Sequence, residues 1–184
     1  MDNIAFIDGQ NLFLGTTKCD VCAARLNISI KNIKLTDCTC GNAWEVNLKK
    51  FRIYLRDNYN IKEAYYVLGF QDGKNNSLYL DIQKAGFLLL FKEHSCNLKS
   101  DKKGNVDTDI VFEVMKSLID NGSDFNKIVL VSGDGDYKKL VDYLVSKDRF
   151  CKILFPNKKY ASSLYFQLGS EYFDFLEIIK SYLS

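Results

Sequence analysis

Two short apolar runs, each delivering an aspartate at its carboxyl end, constrain this chain more than any other feature. Asn3–Ile7 reads as a central strand that ends at Asp8, and Lys127–Val131 repeats the design just before Ser132-Gly133-Asp134. Runs of this length, apolar after their first residue, suit strands buried on both faces of a parallel sheet. Three more candidates, Ala64–Leu68, Phe87–Phe91 and Cys151–Phe155, are bounded by charged residues or glycine. The intervals between strands carry helical spacing over Leu48–Asn58, Leu78–Ala85, Asp107–Asp120, Tyr137–Ser146 and Ser162–Leu168. In the third of these, Ile110, Val111, Val114, Leu118 and Ile119 make one apolar stripe. Strands alternating with amphipathic helices define an α/β class. The lone proline, Pro156, follows a strand, where it ends pairing harmlessly.

At 184 residues and 47% hydrophobic content, residues 1–184 are expected to form a single domain with one sizeable core. The formal charge is 25 − 23 = +2, so any contact with nucleic acid must be local rather than spread over a basic surface. The longest apolar run, Ala85–Phe91, has seven residues, against roughly 20 for a membrane span. Met1-Asp2-Asn3 leads straight into the first strand without the regions of a secretion signal, and the expectation is a cytoplasmic protein. In a reducing compartment the six cysteines read as free thiols or metal ligands rather than disulfides.

In an open parallel sheet, ligands bind beyond the carboxyl ends of the strands, where the strand order reverses. Asp8 and Asp134 are expected there. Asp107, in the polar turn Gly104-Asn105-Val106-Asp107-Thr108-Asp109, can reach the same crevice from the start of a long helix, and Asp136 follows Asp134 by two residues. Carboxylates this dense repel one another unless a cation sits between them, and hard oxygen donors without clustered histidines favour Mg2+ or Mn2+ over zinc. The carboxylates of Asp8, Asp107 and Asp134 should therefore converge closely enough to share one cation. Such a site can hydrolyse a phosphodiester. Each aspartate taken alone is more simply a helix cap or turn residue, and the case rests on three junctions converging.

These residues also carry a resemblance. Phe6-Ile7-Asp8-Gly9-Gln10-Asn11-Leu12, Lys103-Gly104-Asn105-Val106-Asp107 and Val131-Ser132-Gly133-Asp134-Gly135-Asp136-Tyr137 with Leu140-Val141 resemble the three ordered motifs of the NYN (LabA-like) family of PIN-like nucleases. The resemblance implies a Rossmannoid three-layer α/β/α sandwich with a mostly parallel sheet, a divalent metal site and ribonuclease activity. By position it implies that Asp8, Asp107 and Asp134 ligate the metal. Asn11 would orient Asp8 or the substrate phosphate, and Ser132 would donate a supporting hydrogen bond. Asp136 becomes an outer or second-metal ligand. Asp109 stands where the family tolerates many residues, and Glu113 supports the helix. A non-catalytic RNA- or nucleotide-binding regulatory module using the same crevice is the alternative. A haloacid-dehalogenase phosphatase would need an acid two residues after its nucleophile, and Asp8 is followed by Gly9-Gln10.

Lys99, Lys102 and Lys103 before Asp107, and Arg149, Lys152, Lys158 and Lys159 around the fifth strand, are candidates for a nucleic-acid backbone contact, with solvated surface charge the bland reading of each. Tyr137 and Tyr160 lie near these loops and are candidates for base stacking. The expected partners are single-stranded RNA and, in a homodimer, a second copy of the chain. One segment, about 16–43, breaks the rhythm and reads as an insertion. It holds Cys19-Asp20-Val21-Cys22 and Cys38-Thr39-Cys40, a C-x2-C and a C-x-C pair fifteen residues apart, which together could bind one structural zinc or remain unliganded.

Overall fold

The computed structural model describes residues 2–69, 76–92 and 106–184. Six strands form one sheet in the order β3-β2-β1-β4-β5-β6, and every neighbouring pair is parallel. They are β1 (Asn3–Asp8), β2 (Ile61–Gly69), β3 (Leu88–Lys92), β4 (Ile128–Val131), β5 (Phe150–Phe155) and β6 (Phe173–Phe175). The chain builds outward from β1 in one direction to β3, then returns to place β4 on the other side of β1. The strand order therefore reverses between β1 and β4, where the two apolar runs lie side by side with Ile7 opposite Val131.

Alternation along the strands explains the three layers. Ala5 and Ile7 face one side, where they pack with Leu12 of α1 (Gly9–Thr17), Phe51 and Leu55 of α3 (Leu48–Tyr59), Ile82 of α4 (Asn76–Lys84) and Leu183 of α7 (Lys180–Leu183). Ile4 and Phe6 face the other, against Ile110 and Val114 of α5 (Val106–Asp120) and Leu140, Val141 and Leu144 of α6 (Lys138–Ser146). Each such fully buried side chain stabilises the fold by about 1.5–3 kcal/mol, which is why a sheet covered on both faces needs apolar residues at successive positions.

The five expected strands form within a few residues of their sequence bounds, and four of the five expected helices do so as α-helices. Three features differ. Ser163–Leu168 is a 3-10 segment rather than an α-helix. The stripe on α5 is narrower than expected, since Ile119 is 77% exposed. Helix α1 had no amphipathic signal, because glycine occupies two of its contact positions. A Cβ at Gly9 would lie 2.3 Å from Tyr66 Cε1, and one at Gly15 would lie 2.7 Å from Pro156 Cβ. Glycine is what lets α1 lie so near β2 and the exit of β5.

The segment read as an insertion begins within α1. It continues through the short helix α2 (Asp20–Arg25) and a 3-10 turn at Leu35–Asp37, around a small core of Cys19, Cys22, Ala23 and Ile33.

Candidate metal centre at the strand-order switch

Asp8 ends β1 and caps α1: its Oδ1 accepts a hydrogen bond from the Asn11 amide at 2.9 Å. Asn11 in turn spans the switch point, its side-chain Oδ1 accepting from the Gly133 amide at 2.7 Å. Beyond β4, buried Ser132 accepts from the Asp134 amide at 3.1 Å, and Asp134 caps a 3-10 turn, Gly135–Tyr137, by accepting from the Asp136 amide at 3.0 Å. The side chains of Asn11 and Ser132 thus set the backbone that carries Asp134. The fully buried Tyr165 donates its hydroxyl to the Asp134 carbonyl.

The turn drives Tyr137 inward. Its hydroxyl lies 3.1 Å from Asp8 Oδ2 and 2.8 Å from Asp107 Oδ1, in the first turn of α5. A phenol carries one proton, so it can donate to only one of these carboxylates at a time. Burial pushes the Asp8 carboxyl above its ordinary value, and repulsion from Asp107 and Asp134 adds to this against the lowering effect of the Asn11 amide and the Tyr137 hydroxyl. Burial beside two carboxylates likewise pushes the Tyr137 phenol far up, so it acts as a donor.

Asp107, Asp134 and Asp136 each offer a carboxylate oxygen within 4.8 Å of the other two. Oxygens around Mg2+ at ~2.1 Å lie roughly 3–4 Å apart, so small side-chain rotations suffice for this trio to hold one hard cation. The donor set fits such an ion.

The grouping departs from the expected one. Asp136 stands inside the trio, whereas Asp8 stands outside it, behind the Tyr137 hydroxyl that it shares with Asp107. Asp109 is outside as well, since two residues along a helix is about 200° of rotation from Asp107.

The remaining candidates are dispersed. Tyr137 is fully buried and presents no ring face to a base, which corrects its reading as a stacking residue. The signal was available, because Tyr137, Leu140, Val141 and Leu144 follow the helical i, i+3, i+4, i+7 pattern that marks a buried face. Tyr160 is 37% exposed. Lys158 and Lys159 form an exposed 3-10 turn with it after β5, where Lys158 Nζ sits 5.8 Å from the centre of the Phe175 ring and Lys159 pairs with Asp20. Arg149 is spent on the carbonyls of Gly122, Phe125 and Asn126, and Lys152 pairs with Asp174 at 2.8 Å. Lys99, Lys102 and Lys103 lie outside the described residues. Across the insertion, Cys19, Cys22, Cys38 and Cys40 bring their sulfurs within 4.8 Å of one another. Among the described residues no helix is long and apolar enough to cross a membrane.

An all-parallel α/β/α sandwich with clustered carboxylates at its switch point is the arrangement of a PIN-like fold with an acidic centre. The NYN domain profile matches residues 4–168, and the chain belongs to the NYN domain family. No curated protein matches it. Among solved structures it is similar to a Vibrio parahaemolyticus protein of unknown function, at 17% identity and a TM-score of 0.64, covering 95% of this chain and 93% of that one. That likeness concerns the fold alone.

Proposed function

We propose that the chain is a Mg2+- or Mn2+-dependent ribonuclease that hydrolyses RNA phosphodiester bonds at the β1/β4 switch point. The observation that carries this reading is the trio Asp107, Asp134 and Asp136, with Asp134 held by its capping bond, at the crevice of an NYN-family fold. When bound, the cation supplies Lewis-acid polarisation of the phosphate and a more acidic water. The protein's part is positional. Asp134 is held by the Asp136 amide, and Asp107 by the Tyr137 hydroxyl, which also meets Asp8 behind it. Asn11 and Ser132 set the backbone of the β4 exit, and both are proposed to contact the substrate phosphate as well. The exposed amine of Lys158 is placed to meet a phosphate backbone, with Lys159 contributing once it leaves Asp20. Lys102 and Lys103, which precede Asp107 in sequence, are proposed for the same role.

The test is incubation of the purified chain with labelled single-stranded RNA and Mn2+, with and without EDTA, beside Asp134→Asn of matched circular dichroism. The expected result is cleavage by the wild type in Mn2+ and none in EDTA or in the variant. RNA retention without cleavage would support the regulatory binding module instead, and cleavage insensitive to EDTA would remove the metal from the account.

A further inference from the structure

We propose that Cys19, Cys22, Cys38 and Cys40 bind one zinc ion in a closed tetrahedral site that holds the 18–43 segment together and fixes it beside the acidic crevice. The site is separate from the carboxylate centre, and the inference does not rest on the hydrolytic reading.

The geometry is the first argument. Sulfur–sulfur separations are 3.4 Å for Cys19–Cys40, 3.5 Å for Cys22–Cys40, 3.7 Å for Cys38–Cys40 and 3.9 Å for Cys22–Cys38. Four thiolates at ~2.3 Å from zinc in a tetrahedron have edges of about 3.8 Å. Separations this even also exclude a disulfide arrangement, which needs a sulfur pair at about 2.05 Å. All four cysteines are free.

The second argument is the set of donors around the sulfurs. Cys19 caps α2 with its sulfur, accepting from the Cys22 amide at 3.5 Å, and Cys38 accepts from the Ala43 amide at 3.4 Å. Arg25 Nη2 approaches Cys22 at 3.7 Å. Amide and guanidinium donors aimed at sulfur stabilise a thiolate, the form that ligates zinc.

The third argument is energetic. The only buried hydrophobic residues in the segment are Cys19, Cys22, Ala23 and Ile33, while Val21, Leu26, Ile28 and Ile30 are all exposed. Ordering a loop of this length opposes folding by about 1–2 kcal/mol per residue in backbone entropy, and one isoleucine with an alanine cannot offset that. Metal-coupled folding can. Both sulfur pairs are brought together around Ile33, and Lys18 locks the turn by donating to the Ile33 carbonyl at 2.6 Å.

The placement gives the ion its consequence. Asp20 of α2 pairs with Lys159, and Lys180 donates to the Gly41 carbonyl at 2.9 Å. The segment therefore forms one wall of a cavity of about 450 Å³, whose other wall is the turn carrying Lys158, Lys159 and Tyr160. The carbonyl of Tyr160 would lie 3.0 Å from a Cβ at Gly133, so that turn abuts the loop holding Asp134.

The experiment is elemental analysis of the full chain purified without added metal, followed by chelator removal and titration of the apoprotein with Co2+. About one zinc per chain is expected, and cobalt should give intense thiolate charge-transfer and tetrahedral d–d bands that saturate near one equivalent. Cys22→Ser and Cys40→Ser should lose the zinc and gain protease cleavage within 18–43, whereas Cys151→Ser and Asp134→Asn keep both zinc and resistance. The cobalt spectrum on the wild type stands even where a serine variant fails to fold. Protein that purifies metal-free with four freely alkylated thiols, that carries iron in place of zinc, or that gives no tetrahedral cobalt spectrum would overturn the proposal.

Discussion

Replacing Tyr137 with phenylalanine removes one hydroxyl and keeps the ring, which isolates the contact that joins Asp8 to Asp107. The oxygen lost lies 3.1 Å from one carboxylate and 2.8 Å from the other, and the residue is fully buried. A hydrogen bond to a charged group contributes about 1.5–3 kcal/mol. The phenol has a single proton, so one such bond is lost rather than two, and the expected destabilisation is about 2 kcal/mol. For a chain of this size that is a fall of about 4–8 °C in melting temperature. The assay is thermal and urea denaturation of both proteins in EDTA, where no cation compensates for the lost donor. A change within about 0.5 kcal/mol, the scatter of an inconsequential surface substitution, would refute the claim that this hydroxyl holds two mutually repelling carboxylates together.

Asp136→Asn should weaken Mn2+ binding as severely as Asp134→Asn, by calorimetric titration; a wild-type affinity would exclude Asp136 from the trio. Metal-free protein should lose stability as pH rises. The folded Asp8 carboxyl titrates above its ordinary 3.8, so between these values the folded state holds more protons than the unfolded one, and the stabilisation present below 3.8 disappears as pH passes the raised value. Asp8→Asn should flatten that dependence in EDTA, and an unchanged slope would show that another group causes it. Gly9→Ala places a methyl 2.3 Å from the Tyr66 ring and should destabilise by about 1–3 kcal/mol in urea melts; a neutral result would mean that Tyr66 yields.

The parallel sheet was readable because its central strands are apolar at successive positions, and both central runs stop at the polar groups of the crevice. Helix α1 was not readable, since the close approach of Gly9 and Gly15 erases the apolar stripe by which a helix is detected. Strand β6 is three residues long, too short for a periodicity to register. Within the site, the strand-end positions and the helix start pointed Asp107 and Asp134 at one crevice, where their carboxylates lie close together, yet they could not rank Asp8 against Asp136. That ranking depends on where the 3-10 turn capped by Asp134 carries the Asp136 carboxylate, which spacing in the sequence does not give. The cysteine pairs were legible as a set, whereas their even spacing in space was not.

The central claim is that Asp107, Asp134 and Asp136 together hold a divalent cation at the strand-order switch. Anomalous diffraction from crystals soaked in Mn2+ tests it most directly, because the signal locates the ion independently of any activity. A manganese peak about 2.1–2.3 Å from an oxygen of each of the three carboxylates, with Asp8 still bonded to Tyr137, is the expected result. A peak bound by Asp8 without Asp136, or no peak in the crevice at saturating Mn2+, would contradict it.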